Sequence, residues 1–138
     1  MAASERASQG YPLVFFQLYI QKRRLILFNV ALAVADYRSL DTKKDVVPTD
    51  LIYTPEQIGE TLTVLYNPSQ KWYYLSDMQP SEALLLKCFD SLSTTENPKE
   101  GIASLAPHTA FQDARYVGKS GIEPRESIEI RALVYSSA

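Results

Sequence analysis

The chain has 138 residues, 46% of them hydrophobic and 11% aromatic, which supports one globular domain with a single core and excludes two of ordinary size. Its 14 basic and 16 acidic residues give a formal charge of -2, and with Lys22-Arg23-Arg24 as the longest basic run there is no clustered footprint for nucleic acid. A lone cysteine, Cys88, excludes an intrachain disulfide and a multi-thiolate zinc site, and points to a reducing, cytoplasmic setting.

In chain order, the first apolar run is YPLVFFQLYI. Glu5 lies upstream, Gln17 interrupts it, and no small-residue cleavage site precedes Lys22, so it does not read as a signal peptide. The second run, LILFNVALAVA, is about half the length of a bilayer-spanning helix. Both read as packed strands, favoured by Val, Ile, Phe and Tyr, and no membrane partner is expected. Asp36, Arg38 and Asp41 in ADYRSLD read as turn and capping residues.

From about residue 30 the texture becomes short strand-like stretches broken by Pro, Asn, Asp and Gly. GETLTVLYN (59–67) predicts a strand that ends at the turn signal Asn67-Pro68, and KWYYLSDM (71–78) resumes after it, so 61–78 reads as a hairpin. Pro80, Glu82 and Ala83 suit one helical turn, and Leu84 to Phe89 a buried strand in which Cys88 serves as a small hydrophobe. Core packing is the favoured role for at least two of Trp72, Tyr73 and Tyr74, with a substrate wall as the alternative. SIEIRALVY alternates, with Ile128, Ile130, Ala132 and Val134 on one face and Ser127, Glu129 and Arg131 on the other. The fold class is mostly β, with short helical turns and a sheet that closes or packs on another.

The segments VVPTDLIY, GETLTVLYNPSQKWYYLSDMQPSEALLLKCFDS, PHTAF and PRESIEIRALV, in this order, resemble the C-terminal part of the AsaB-type hydroxylase/desaturase family of fungal and bacterial secondary metabolism. The resemblance covers residues 31–136. It implies a partial double-stranded β-helix, of the jelly-roll or cupin-like kind, over 31–138, preceded by an atypical segment at 1–30. It further implies an iron(II)- and 2-oxoglutarate-dependent oxidoreductase that hydroxylates or desaturates a small molecule. His108 in PHTAF corresponds to an iron-ligating histidine, Arg125 to the arginine that binds the oxoacid, and Ser127 to its helper.

The chemistry requires such residues. Non-haem iron is held by two histidines and one carboxylate on one face. The far carboxylate of the oxoacid needs a planar guanidinium, whose paired hydrogen bonds a lysine cannot reproduce, and a serine two residues along a strand projects to the same side. Arg131 lies on that same face and competes with Arg125 for the role. Surface pairing of Arg125 with Asp113, Glu126 or Glu129 is the plain alternative.

The family's other two ligands form a His-x-Asp/Glu pair upstream of the matched region, and His108 is the only histidine in the sequence. One chain therefore does not assemble the full triad. A shortened product, a non-catalytic binding or interaction protein that keeps part of the fold, and a fragment completed by another chain all fit the residues. A metal-free acid/base pair of His108 with Asp113 or Glu129 is a further reading. Half of a β-helix leaves open strand edges, so self-association is expected.

Overall fold

The computed structural model describes residues 12–22, 30–93, 99–121 and 125–136. The start of the second apolar run, Arg23, Arg24, Glu5 and Pro124 lie outside these residues.

Strand β1 (Leu13–Gln21) is the centre of a three-stranded antiparallel sheet, flanked by β6 (Ala83–Asp90) and β8 (Ser127–Tyr135). Strand β2 (Val30–Ala35) is the centre of a second, flanked by β5 (Trp72–Tyr74) and β7 (His108–Gln112). Strands β3 (Val46–Thr54) and β4 (Gln57–Val64) form a separate two-stranded ribbon. Chain neighbours alternate between sheets, so the two three-stranded sheets face each other as in a jelly roll. The fold is mostly β and corresponds to part of a double-stranded β-helix, with a four-residue helix α1 (Thr42–Asp45) and 3-10 turns at Tyr37–Ser39 and Ser91–Ser93.

The core between the sheets is small. Tyr19 of β1, Leu86 of β6 and Met78 are fully enclosed, with Leu32 and Val34 of β2 and Leu84 of β6 packed against them. This cluster defines the inner faces. Tyr19 shares its face of β1 with Gln17 and Gln21, and their direct partners across the β1–β8 ladder are Glu129, Arg131 and Ser127. Val34 stands opposite His108, so the imidazole belongs to the inner face of the second sheet.

Local chemistry explains the turns. The Asp36 carboxylate accepts from the Arg38 amide at the start of the first 3-10 turn, and the Asp41 carboxylate accepts from the Lys43 amide to cap α1. The buried Asp45 carboxylate accepts from the Asn67 side-chain amide at 3.0 Å and from the Asp41 amide at 3.0 Å. That bond joins α1 to the turn after β4.

Three expectations are corrected. The 61–78 hairpin does not form: β4 pairs with β3 across the turn at Pro55-Glu56, while β5 crosses over to β2. Asn67 holds the turn where the chain leaves the ribbon. Its side chain accepts from the Ser69 amide and hydroxyl while donating to Asp45, which turns the chain toward the other sheet. Residues 80–82 form a turn closed by Glu82, whose carboxylate accepts from the Gln79 amide at 2.7 Å, and no helical turn is present there. Trp72, Tyr73 and Tyr74 are all exposed rather than core, on the edge strand β5, with Trp72 the least so at 37%. Cys88 is a half-buried free thiol on β6.

Candidate functional site

The alternation of β8 is inverted relative to an ordinary sandwich strand. Ile128, Ile130 and Val134 on one face are 51%, 50% and 47% exposed, while Ser127, Glu129 and Arg131 share the face of β1 that carries Gln21, Tyr19 and Gln17, with Ser127 half-buried and Glu129, Arg131 and the next residue on that face, Leu133, exposed. A strand that turns its polar residues to that face lines something polar.

A cavity of about 740 Å³ lies there. Arg131 and Gln17 enter it from the first sheet and His108 from the second, with Cys88 and Glu60 on its margins. The remaining wall is mostly apolar, including Phe15, Leu51, Tyr53, Leu62, Val64 and Trp72. The ribbon β3–β4 thus supplies one wall and the two sheets the others.

His108 is half-buried, and its Nδ1 lies 2.9 Å from the Ala106 carbonyl oxygen. A carbonyl only accepts, so this bond places the ring proton on Nδ1 and leaves the Nε2 lone pair free to ligate or to accept a proton. Backbone anchoring of one nitrogen to present the other is the usual arrangement of a metal-binding histidine. Among the described residues, however, no group of three His, Cys, Asp or Glu side chains is placed to hold a metal ion.

Arg125 does not line this cavity. It precedes β8, and its guanidinium carbon lies 5.6 Å from the centre of the Tyr19 ring. Its Nη1 is buried and has no hydrogen-bond partner among the described residues. Close by, the Tyr19 hydroxyl donates to Gln21 Oε1 at 2.7 Å, and Gln21 Nε2 donates to the Glu126 carbonyl at 2.9 Å. Ser127, half-buried, stands directly opposite Gln21. The structure therefore gathers Arg125, Ser127, Tyr19 and Gln21 at one end of the inner face of β1, and His108, Arg131 and Gln17 further along it. An unsatisfied buried guanidinium nitrogen costs free energy that an anion would recover, which suits the carboxylate of an oxoacid.

Asp113 is unavailable as a partner for His108 or Arg125, because its carboxylate is held by the Arg115 guanidinium and backbone amide. That pairing keeps the Asp113 carboxyl below its ordinary range. Burial pushes the Cys88 thiol up, and the nearby Arg131 charge opposes this. Gln17, Tyr19 and Gln21 had a signal in the sequence: two glutamines and a tyrosine at alternate positions of an apolar strand mark a polar inner stripe.

Fold and site together define a mostly β domain of the jelly-roll kind, with the His108 imidazole and the Arg125 and Arg131 guanidinium groups on the facing sides of its two sheets. The chain belongs to the YDMC family, described as an oxidoreductase/YMDC permease-like domain, whose profile matches residues 24–135. Among the described residues no helix is long and apolar enough to cross a membrane. The chain is 44% identical over 70 residues to hydroxylase/desaturase asaB of Aspergillus flavus, a match covering 51% of this chain and 28% of that protein. It is 37% identical over 113 residues to hydroxylase/desaturase efuI of Hormonema carpetanum, covering 75% and 35%. The Fe(II)/2-oxoglutarate-dependent dioxygenase nvfI of Aspergillus novofumigatus is 32% identical over 105 residues, covering 75% and 34%. A solved structure of the iron and alpha-ketoglutarate-dependent endoperoxidase NvfI superposes with a TM-score of 0.77 at 23% identity, over 99% of this chain and 45% of that one. The chain thus spans about a third of the length of these curated relatives.

Proposed function

We propose that this chain is the oxoacid-holding part of a hydroxylase- or desaturase-type oxidoreductase that acts on a small molecule in secondary metabolism. The observation that carries the reading is the polar stripe that β8 shares with β1, with the buried Arg125 Nη1 that no hydrogen-bond partner satisfies among the described residues. The names of the relatives support the reaction class, and the oxoacid implied is 2-oxoglutarate.

In this reading the Arg125 guanidinium and the Ser127 hydroxyl hold the far carboxylate of the oxoacid. The Tyr19 ring supports the guanidinium from below, and Gln21 fixes the Tyr19 hydroxyl. His108 offers Nε2 from the facing sheet. Iron, when bound, would supply the oxidising chemistry. The iron set does not fit this chain alone, since His108 is its only imidazole, and no step is assigned to the metal here. The other ligands would come from polypeptide beyond this sequence, whether the remainder of a longer protein or a second chain. The same shortage favours a second reading, a protein that binds a small acid without turnover.

Anaerobic calorimetry with Fe(II), with and without 2-oxoglutarate, tests both readings on the chain and on His108→Ala and Arg125→Ala. Expected are weak iron binding and weak, salt-dependent oxoacid binding that Arg125→Ala abolishes and His108→Ala spares. Oxoacid binding indifferent to Arg125→Ala would sink the assignment. Stoichiometric iron binding lost in both variants would show instead that copies of the chain complete the centre.

A further inference from the structure

We propose that Arg131 is a second anion-recognition residue, which selects a carboxylate-bearing and otherwise apolar small molecule for the cavity between the sheets. This deepens the reading above, since the cavity is the one that His108 lines, and it assigns the class of compound taken there.

The volume of about 740 Å³ is that of a small-molecule site, and its aromatic and aliphatic lining suits an apolar body. Arg131 is the guanidinium of that lining, beside the polar Gln17, Glu60 and His108. It stands opposite Gln17 on the inner face, and among the described residues no ion pair or hydrogen bond holds its guanidinium. Glu60 on the cavity margin and Glu129 two positions along the strand are the acidic groups that face it, and among the described residues neither pairs with it. Arg131 lines the cavity from β8 while its side chain stays exposed to solvent, so an anion entering from solution meets it first. A guanidinium aimed into an apolar-walled space binds a planar anion through paired hydrogen bonds and fixes its orientation.

The lining carries one guanidinium and no lysine, with Glu60 of opposite sign. That charge balance suits a monoanionic carboxylate and disfavours a phosphate dianion. Arg125 sits apart, over Tyr19, so the two arginines serve two different acids: the oxoacid at one end of the stripe and the substrate carboxylate at the other.

Trp72 lines the cavity and is the only tryptophan in the sequence, so its emission reports on this site. The probes are octanoate and octan-1-ol, which share an apolar chain and differ in the head group. Octanoate should shift Trp72 emission and bind about tenfold more tightly than the alcohol, a difference of one decade in Kd. Arg131→Gln should erase that preference, Arg131→Lys should retain part of it, and Arg125→Gln should leave it intact. Circular dichroism of each variant reports folding, and the lysine variant carries the test if the glutamine variant does not fold.

Equal affinity for acid and alcohol, or a preference that survives Arg131→Gln in a folded protein, overturns the proposal. So does loss of 2-oxoglutarate binding in Arg131→Gln with retention in Arg125→Gln, which would make Arg131 the oxoacid residue. Failure of the oxygenase reading looks different: 2-oxoglutarate does not bind at all while the octanoate preference and its dependence on Arg131 persist.

Discussion

Tyr19 connects the core to the candidate site with a single side chain. Its ring packs with Met78 and Leu86, one face lies under the Arg125 guanidinium, and its hydroxyl donates to the fully buried Gln21. Tyr19→Phe keeps the packing and strips the donor, leaving Gln21 Oε1 unsatisfied away from water, so it should destabilise the fold by about 1–3 kcal/mol in urea unfolding. Because Gln21 also donates to the Glu126 carbonyl beside Arg125, the same variant should weaken 2-oxoglutarate binding. An unchanged stability would mean that water reaches Gln21. Asp45 makes a different prediction. Hydrogen bonds from Asn67 hold its carboxyl below the ordinary value of 3.8, and Asp36, Asp41 and Asp113 are lowered by Arg38, Lys44 and Arg115 in the same way. A folded-state pKa lower than the unfolded one gives stability that is complete above the unfolded value and is lost as pH falls through the folded value. Thermal melts should therefore hold level down to about pH 4 and decline below it. In Asp45→Asn the midpoint should be lower near pH 7, and the decline toward acid shallower. A steeper decline in the variant would contradict the assignment.

At the scale of elements, local pattern was enough wherever a strand ran uninterrupted. LVFFQLYIQ, ALLLKCFD and SIEIRALVY are strands where their β-branched and aromatic content places them, and the capping roles of Asp36 and Asp41 follow from short polar side chains at turns. Pairing was not legible, because it depends on where the chain goes after a turn. Asn67-Pro68 marks a turn in either case, and contacts distant in sequence carry the chain to the other sheet: Asn67 to Asp45, 22 residues away, and Lys71 to the Asp36 amide and the Ser39 hydroxyl. The face of β8 was legible as an alternation but not its direction: apolar residues ordinarily face inward, and here Ser127, Glu129 and Arg131 do. That inversion also explains why the arginine assignment was ambiguous in the sequence, since Arg125 and Arg131 share a face and separate only along the strand axis. The elements should differ in local stability. β1 is hydrogen-bonded on both sides, whereas the β3–β4 ribbon is paired only to itself and leaves Ile52, Tyr53 and Ile58 at 70%, 66% and 64% exposure. Hydrogen exchange should be slowest in β1 and faster by orders of magnitude across Val46–Val64. Equal protection in the two would mean that the ribbon is covered in solution.

At the scale of the whole molecule, the described residues pair a small buried cluster with many exposed large apolar side chains. Among the described residues Tyr19, Met78 and Leu86 form the buried apolar cluster, while the outer face of β8 and the ribbon expose large aliphatic and aromatic side chains over contiguous strands. Soluble monomers rarely leave patches of this kind open, and β8 is in addition a nine-residue strand at the sheet edge, with no strand beyond it among the described residues. In the superposed endoperoxidase this chain accounts for 45% of the polypeptide, so the comparable surfaces there belong to a molecule more than twice as large. The isolated chain should therefore associate, with mass by light scattering rising with concentration. Ile130→Lys places a charge on the outer face of β8 without touching the inner stripe, and charged residues on edge strands oppose lateral pairing. The substitution should shift the distribution toward monomer and leave Trp72 emission and the octanoate preference unchanged. Ile58→Lys does the same for the ribbon, and comparing the two locates the sticking surface. If association arises at β8, only Ile130→Lys responds, and the double variant adds nothing. A wild-type chain that stays monomeric on dilution and concentration alike, with a single cooperative unfolding transition, would show that the exposed strands are compatible with an independent fold.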